Sequence, residues 1–327
     1  SALSGLKRSR RGWEMQKGDI AVEVVKTYED ILRLRHQARS DEESLRRMDA
    51  LHHLTQAKEG LGRATRNDTL RVEFLRGQAL FRLEADKERL SSAQREFAEL
   101  LGFPPETVFD LKPNAALEID VPEPPEAVRI ALKNRLDYAQ ALQDREDAER
   151  GVRIGRRRLL PDLKLLARHE WAGENPGVLK EADLDGKTWF VGAALQTDLN
   201  LARERASYGQ ARIQRASAGE AVSILERSIA RRTLQGIQSF RRARAEVEIA
   251  RRNFDLAEAR VRSARELFEL GRGDSFSVAE AEVAYLQAES QLFSARADAS
   301  ISGYRLSHAM GTLTEAPADL KAERLEL

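Results

Sequence analysis

Apolar residues recur at alternating steps of three and four in the last third of the chain: Phe240, Ala243, Val247, Ala250, Phe254, Ala257, Val261, Ala264 and Phe268. A heptad seam without a slip predicts one long helix in a left-handed coiled coil. The same alternation returns in Ala281, Tyr285, Ala288, Leu292, Ala295, Ala299, Ser302, Leu306 and Ala309. Between the two seams lies Leu270-Gly271-Arg272-Gly273-Asp274-Ser275, so the helices are predicted to form an antiparallel hairpin. Glycine suits the reversal because it tolerates positive φ. The ascending helix is expected to be near-continuous from about Leu201 to Leu270, roughly 100 Å at ~1.5 Å per residue. Alanine at every second ascending position lets the backbones approach toward the short end of the usual range of about 8–10 Å.

The pattern has an earlier copy. Leu61-Gly62-Arg63 recurs as Leu270-Gly271-Arg272, Glu73 as Glu282, Gln78-Ala79 as Gln287-Ala288, Leu83 as Leu292, Gly102 as Gly311 and Asp110-Leu111 as Asp319-Leu320. The offset is constant, 270 − 61 = 209, and residues 61–111 match 270–320 at 12 of 51 positions with no gap. Both copies place the second glycine 40 residues after the first (102 − 62 and 311 − 271). A repeat of this length means two copies of one supersecondary unit. The first copy's descending seam is Val72, Ala79, Leu83, Leu90, Ala93, Phe97 and Leu100. Its ascending seam runs Ile31, Leu34, Ala38, Leu45, Met48, then His52, Thr55 and Glu59. Those three polar positions mark either a loosely packed seam or a face turned to a channel or partner.

Between the copies, residues 104–124 hold five of the nine prolines and are expected to be an extended linker. Pro125 then suits the first turn of a helix running to about Arg158. Beyond Pro161 the period changes to two. Leu163, Leu165, Ala167, His169 and Trp171 alternate with a charged set, a Gly/Asn/Asp-rich loop follows from about Ala172 to Lys187, and Trp189, Val191, Ala193, Leu195, Thr197 and Leu199 form a second alternation. Each run is near the roughly 9–11 residues that cross a bilayer as a tilted strand. Trp171 and Trp189 sit at the loop ends, where an interfacial aromatic belongs. A soluble amphipathic β-hairpin has the same period, but an isolated pair is marginal and needs partners.

Composition narrows the chemistry. A third of the residues (33%) are charged and only 6% aromatic, which suits long thin helices better than a thick core. Net charge is +1, so no bulk field attracts nucleic acid, and Arg156-Arg157-Arg158 and Arg241-Arg242 are expected on solvated helix faces. With no cysteine there is neither disulfide nor thiolate chemistry, a usage compatible with the periplasm. No apolar run reaches the length of a transmembrane helix, and Ser1–Gly5 carries no signal-peptide core. His36, His52, His53, His169 and His308 have no metal-ligand spacing, and Gly271-Arg272-Gly273 lacks the preceding strand that a phosphate loop needs. Nothing here points to an enzyme, a metal or a cofactor.

The order of elements resembles the TolC-like outer membrane efflux proteins over nearly the whole chain. Carriers of the resemblance are the duplicated hairpins, Ala131-Leu132-Lys133-Asn134-Arg135-Leu136-Asp137, Leu160-Pro161-Asp162-Leu163-Lys164-Leu165 and the passage from Val191 to Asn200. The family usually has proline where Leu136 and Asp198 stand. It implies a mainly α chain with two tandem coiled-coil αα-hairpins and one amphipathic pair of barrel strands in the second repeat. The domains would be a first-repeat hairpin at 1–103, a linker at 104–124, an equatorial helix at 125–160, the strand pair at 161–200, a second hairpin at 201–313 and a tail at 314–327.

The resemblance further implies a homotrimer in the outer membrane and periplasm of a Gram-negative bacterium. It would be a passive export conduit working with a periplasmic adaptor (membrane fusion protein) and an inner-membrane pump, and touching outer membrane lipid through Leu163, Leu165, Trp171, Trp189, Val191 and Leu195. Family members carry a strand pair in each repeat, so an N-terminal stretch of about 84 residues (125 − 209 = −84) is expected to precede Ser1 in the full protein. By the same resemblance the tips Leu61, Gly62, Arg63, Leu270, Gly271, Arg272 and Gly273 dock the adaptor. Asp68 falls on the acidic constriction of the periplasmic entrance, where repeat two has Ser277, with Glu280 one turn later. Helix capping by these acids is the competing expectation. A soluble coiled-coil scaffold and an adaptor-like hairpin protein are the alternative readings of the whole chain. The strand pair argues against the first, and two hairpins with one strand pair against the second.

Overall fold

A computed structural model describes residues 2–112, 121–171, 187–196, 200–315 and 317–321. In chain order these form α1 (Ala2–Gly60), α2 (Arg66–Leu100), α3 (Pro124–Asn134), α4 (Leu136–Arg157), β1 (Asp162–Trp171), β2 (Lys187–Gln196), α5 (Ala202–Glu269), α6 (Ser275–Ala309) and a 3₁₀ turn at Ala318–Leu320. Thr197, Asp198, Leu199 and the loop 172–186 lie outside the described residues, as do part of the linker (113–120) and the end of the tail.

The 209-residue offset is written into the backbone. Positive φ occurs at Gly62 (69°), Gly271 (70°), Gly102 (75°) and Gly311 (69°), two pairs related by the repeat. Each glycine closes a helix in the same way. At the tips Gly62 N–H donates to the Glu59 carbonyl and Arg63 N–H to Lys58, while Gly271 donates to Phe268 and Arg272 to Leu267. At the far ends Gly102 donates to Glu99 and Phe103 to Ala98, while Gly311 donates to His308 and Thr312 to Ser307. These paired bonds satisfy carbonyls that the helix leaves open.

One compact unit comprises residues 1–139 and 226–327. In it α5 and α6 bury the predicted seam: Ile237 and Phe240 meet Leu306 and Met310, and Ala250 meets Leu292 and Ala295. Near the turns the two hairpins share one core, made of Met48 and Leu51 from α1, Val72 and Ala79 from α2, Phe268 from α5, and Val278 and Ala279 from α6. A second face of α6 lies on α1, and this contact is largely polar. Glu289 accepts from Ser40 and lies 3.3 Å from His36. Ser300 donates to Glu29 at 2.6 Å. Glu282, only 1% exposed, is held by Arg47 at 2.8 Å and by Arg265 of α5. Thr55 of the polar seam is buried and bonds back to Leu51, and Glu59 accepts from Thr69, so both sit inside the first hairpin.

The helix expected from Pro125 to Arg158 is broken at Arg135, whose backbone is extended (φ −70°, ψ 124°). No proline enforces the break. Arg135 instead clasps Asp137 through both carboxylate oxygens (2.9 and 2.5 Å) and donates to the Ala309 carbonyl at the end of α6 (3.2 Å). Asp137 in turn accepts the Tyr138 N–H, holding the start of α4. Gly311 lets this kink approach closely, since a Cβ there would lie 3.0 Å from the Asn134 carbonyl carbon.

The second unit comprises residues 140–225. Within it Gly155 of α4 packs against Tyr208 of α5. β1 and β2 pair antiparallel, with Leu163 opposite Leu195, Leu165 opposite Ala193, Ala167 opposite Val191 and His169 opposite Trp189. Opposed residues share a face of the ladder, so this register unites the apolar sets of both strands.

Candidate functional site

The tips are built from sequence upward by the turns just described. Leu61 and Leu270 end their helices equally bare, each 72% exposed. Nothing lies within 4 Å of a Cβ placed on Gly62 or Gly271, so only backbone conformation demands glycine there. Gly273 is different: a Cβ would lie 3.1 Å from the Phe268 nitrogen. The fold brings the two tips together. Lys58 in the last turn of α1 donates to the Phe268 carbonyl at 2.8 Å and covers the Phe268 ring, placing a cation beside the C-terminal ends of α1 and α5.

The acids after the turns cap helices. Thr65 and Asp68 form a reciprocal capping box at the start of α2, with Asp68 accepting from the Thr65 N–H at 2.9 Å. These bonds hold the Asp68 carboxyl below its ordinary range. Repeat two exchanges the roles: Asp274 is the N-cap and accepts from the Ser277 N–H at 2.6 Å, which lowers the Asp274 carboxyl likewise. The Asp68 charge works weakly against ionisation of Asp274, and Arg71 favours ionisation of both acids. Glu280 instead pairs with Arg260 on α5 at 3.1 Å. The acid that repeat two uses at its cap is therefore Asp274, three residues before Ser277. A comparison of the two caps, Thr-x-x-Asp against Asp-x-x-Ser, is the sequence signal for it.

On the strands, Leu163, Leu165, Trp189, Val191 and Leu195 are all exposed, so the shared apolar face is open. Trp189 stacks edge-on against His169. Trp171 pairs with Lys187 at the loop end of the ladder, and its side chain lies outside the described residues.

Among the described residues, a hollow of about 280 Å³ is lined by Glu14, Asp19, Arg135, Asp137, Arg232 and His308. Within it Asp19 lies 3.1 Å from His308, and Asp137 pairs with Arg135. Charge is also buried where sequence reasoning did not look. Asp41 and Asp86 are inside the first hairpin, 3% and 8% exposed. They stand at the steps missing from the predicted seams, between Ala38 and Leu45 and between Leu83 and Leu90. A skipped beat in a heptad was the available signal.

Tandem helical hairpins closed by glycine tips, with a strand pair of open apolar face between them in sequence, define the class of fold: a mainly α chain of duplicated coiled-coil hairpins carrying one amphipathic strand pair. The sequence profile of the outer membrane efflux proteins matches residues 127–312, more than half of the chain, and the chain belongs to that family. Membership places it in the outer membrane and periplasm of a Gram-negative bacterium. The outer membrane efflux protein BepC of Brucella suis biovar 1 is 22% identical over 301 residues, covering 89% of this chain and 63% of that protein. The chain thus spans less than two thirds of that relative's length. Among solved structures, the outer-membrane channel OprN superposes with a TM-score of 0.77 at 16% identity, covering 93% of this chain and 68% of that one. The outer membrane protein VceC of Vibrio cholerae gives 0.76 at 16% identity, covering 95% and 74%. The outer membrane channel CmeC of Campylobacter jejuni gives 0.73 at 15%, covering 97% and 68%. These likenesses are of fold.

Proposed function

We propose that the protein is a passive duct subunit of a tripartite efflux or type I secretion system, with no catalysis of its own. The open apolar face of β1 and β2, in a chain of this family, carries the reading. Such a face suits outer membrane lipid on one side of a closed barrel. The tips, with their bare leucines beside arginines, suit a periplasmic adaptor that links the duct to an inner-membrane pump. Asp68, with Asp274 and the region of Ser277 and Glu280, would give the periplasmic entrance an acidic rim that favours cations.

Homotrimeric assembly is supported by the repeat itself. Within the chain α6 lies on α1; shifted by the repeat, α2 of one copy should lie on α5 of the next. The faces that this shift selects are apolar and bare. Ser40 and Glu289 correspond to Ile249 and Leu80, and Arg47 corresponds to Leu256, all three of these apolar residues being exposed. Beside Leu80, α2 also exposes Phe74 and Phe81 around Gly77, framing a groove of about 500 Å³.

The test uses the full-length protein in cells. In a background without other cysteines, Leu80→Cys with Ile249→Cys should give copy-to-copy disulfides and a ladder ending at the trimer. Valine at both Gly62 and Gly271 should preserve that ladder while lowering export and adaptor crosslinking. Absence of the ladder rejects the assembly, and normal export with both tips altered rejects the docking role.

A further inference from the structure

The two hairpins differ at one step of their seams. In the second, Ala250 and Ala295 meet across α5 and α6 beside Leu292. Subtracting the offset gives 250 − 209 = 41 and 295 − 209 = 86, so the first hairpin fills the same step with Asp41 and Asp86. Both acids are buried, 3% and 8% exposed, so the two carboxyls stand at one step of the seam between α1 and α2. Two carboxylates can neither hydrogen-bond to one another nor escape their repulsion when buried, so the step closes well only while one of them is protonated.

The neighbours do not remove this requirement. From α1, Gln37 reaches both Asp41 oxygens at 3.4 and 3.5 Å, long contacts that favour the ionised form only weakly. From α2, Arg89 pairs with Asp86 at 2.8 Å and Arg82 opposes the Asp41 charge without a bond to it. From α6, Glu289 faces Ser40 and His36 on the adjoining side of α1 and adds no cation. Burial and the second carboxyl therefore dominate, and Asp41 is pushed up to about 6.

We infer that Asp41 and Asp86 form a proton-binding site that sets the stiffness of the first hairpin: with one shared proton the seam is closed, and without it two buried like charges loosen α1 from α2. The second hairpin, with alanines at this step, has no such control. The duct reading is not needed for this inference, which stands on the fold of one chain. Because the folded state holds a proton that the unfolded chain releases, the stabilisation is full below the ordinary carboxyl range. It is lost as pH rises through about 6.

Hydrogen–deuterium exchange on the full chain, corrected for the intrinsic rate, tests it. Between about pH 5 and pH 7.5, protection at 37–45 and 82–90 should fall about tenfold, since each pH unit between the folded and unfolded titrations is worth a factor of about ten and pH 5 lies about one unit below the folded one. Protection at 246–254 and 291–299 should not change. Asp41→Asn, which bonds to ionised Asp86 without a shared proton, should keep the first hairpin protected at both pH values. Asp41→Ala with Asp86→Ala copies the second hairpin and should likewise abolish the pH dependence. Equal behaviour of the two hairpins, or a pH dependence that survives in either variant, overturns the inference.

Discussion

Removing the Glu282 side chain should be the most damaging single truncation in the contact between the two hairpins. The carboxylate is 1% exposed and joins Arg47 of α1, Arg265 of α5 and the α6 backbone that carries it. Breaking a buried ion pair from one side costs about 3–5 kcal/mol, because an uncompensated charge is left behind. Here the orphaned groups have some escape: the Arg47 and Arg265 side chains are already 25% and 43% exposed and can turn to water. Glu282→Ala is therefore expected to destabilise by about 2–4 kcal/mol. The repeat supplies the control. Glu73 occupies the equivalent place on α2 and is exposed, so Glu73→Ala in the dissociated chain should stay within about 0.5 kcal/mol. Urea unfolding followed by helical circular dichroism measures both. A double-mutant cycle with Arg47→Ala should return a coupling of about 1–3 kcal/mol. If Glu282→Ala costs no more than Glu73→Ala, or the cycle shows no coupling, the polar contact does not hold the hairpins together.

Two further outcomes follow from the turns. Gly311→Ala should destabilise more than Gly102→Ala: both pay about 1–2 kcal/mol for a side chain at positive φ, but only at Gly311 does the new Cβ meet backbone, that of Asn134 and Arg135, in differential unfolding. Acid should fray the tips first. Asp68 and Asp274 titrate below their ordinary range, so their capping is complete above about pH 4 and fails as pH falls further, which local hydrogen exchange at 65–72 and 274–281 would show as lost protection.

Much of the second hairpin was legible in sequence because alanine and large apolar residues keep the heptad unbroken from Phe240 to Ala309. The strands were legible for a similar reason, since a period of two sets Leu163, Leu165 and Ala167, and Val191, Ala193 and Leu195, apart from their neighbours; their register comes from the structure. The first hairpin was harder to read because charge enters its seam at Asp41 and Asp86, and a periodicity search passes over polar beats. The break at Arg135 was invisible because sequence rules look for proline, whereas the cause is a side chain bonded to residues 174 positions away. The capping role of Asp274 escaped because the repeat keeps the cap bond and moves the acid.

The break between α3 and α4 also has a chemical character of its own. A proline forbids helix at its site under every condition, because the obstacle is covalent. A guanidinium clasp forbids nothing; it makes the bent backbone the better of two choices while Asp137 and the Ala309 carbonyl are within reach of Arg135. Replacing Arg135 by alanine is expected to raise the helical character of residues 134–136, which backbone chemical shifts would check. The bend in this chain thus rests on side-chain bonds, one of which reaches the C-terminal end of α6.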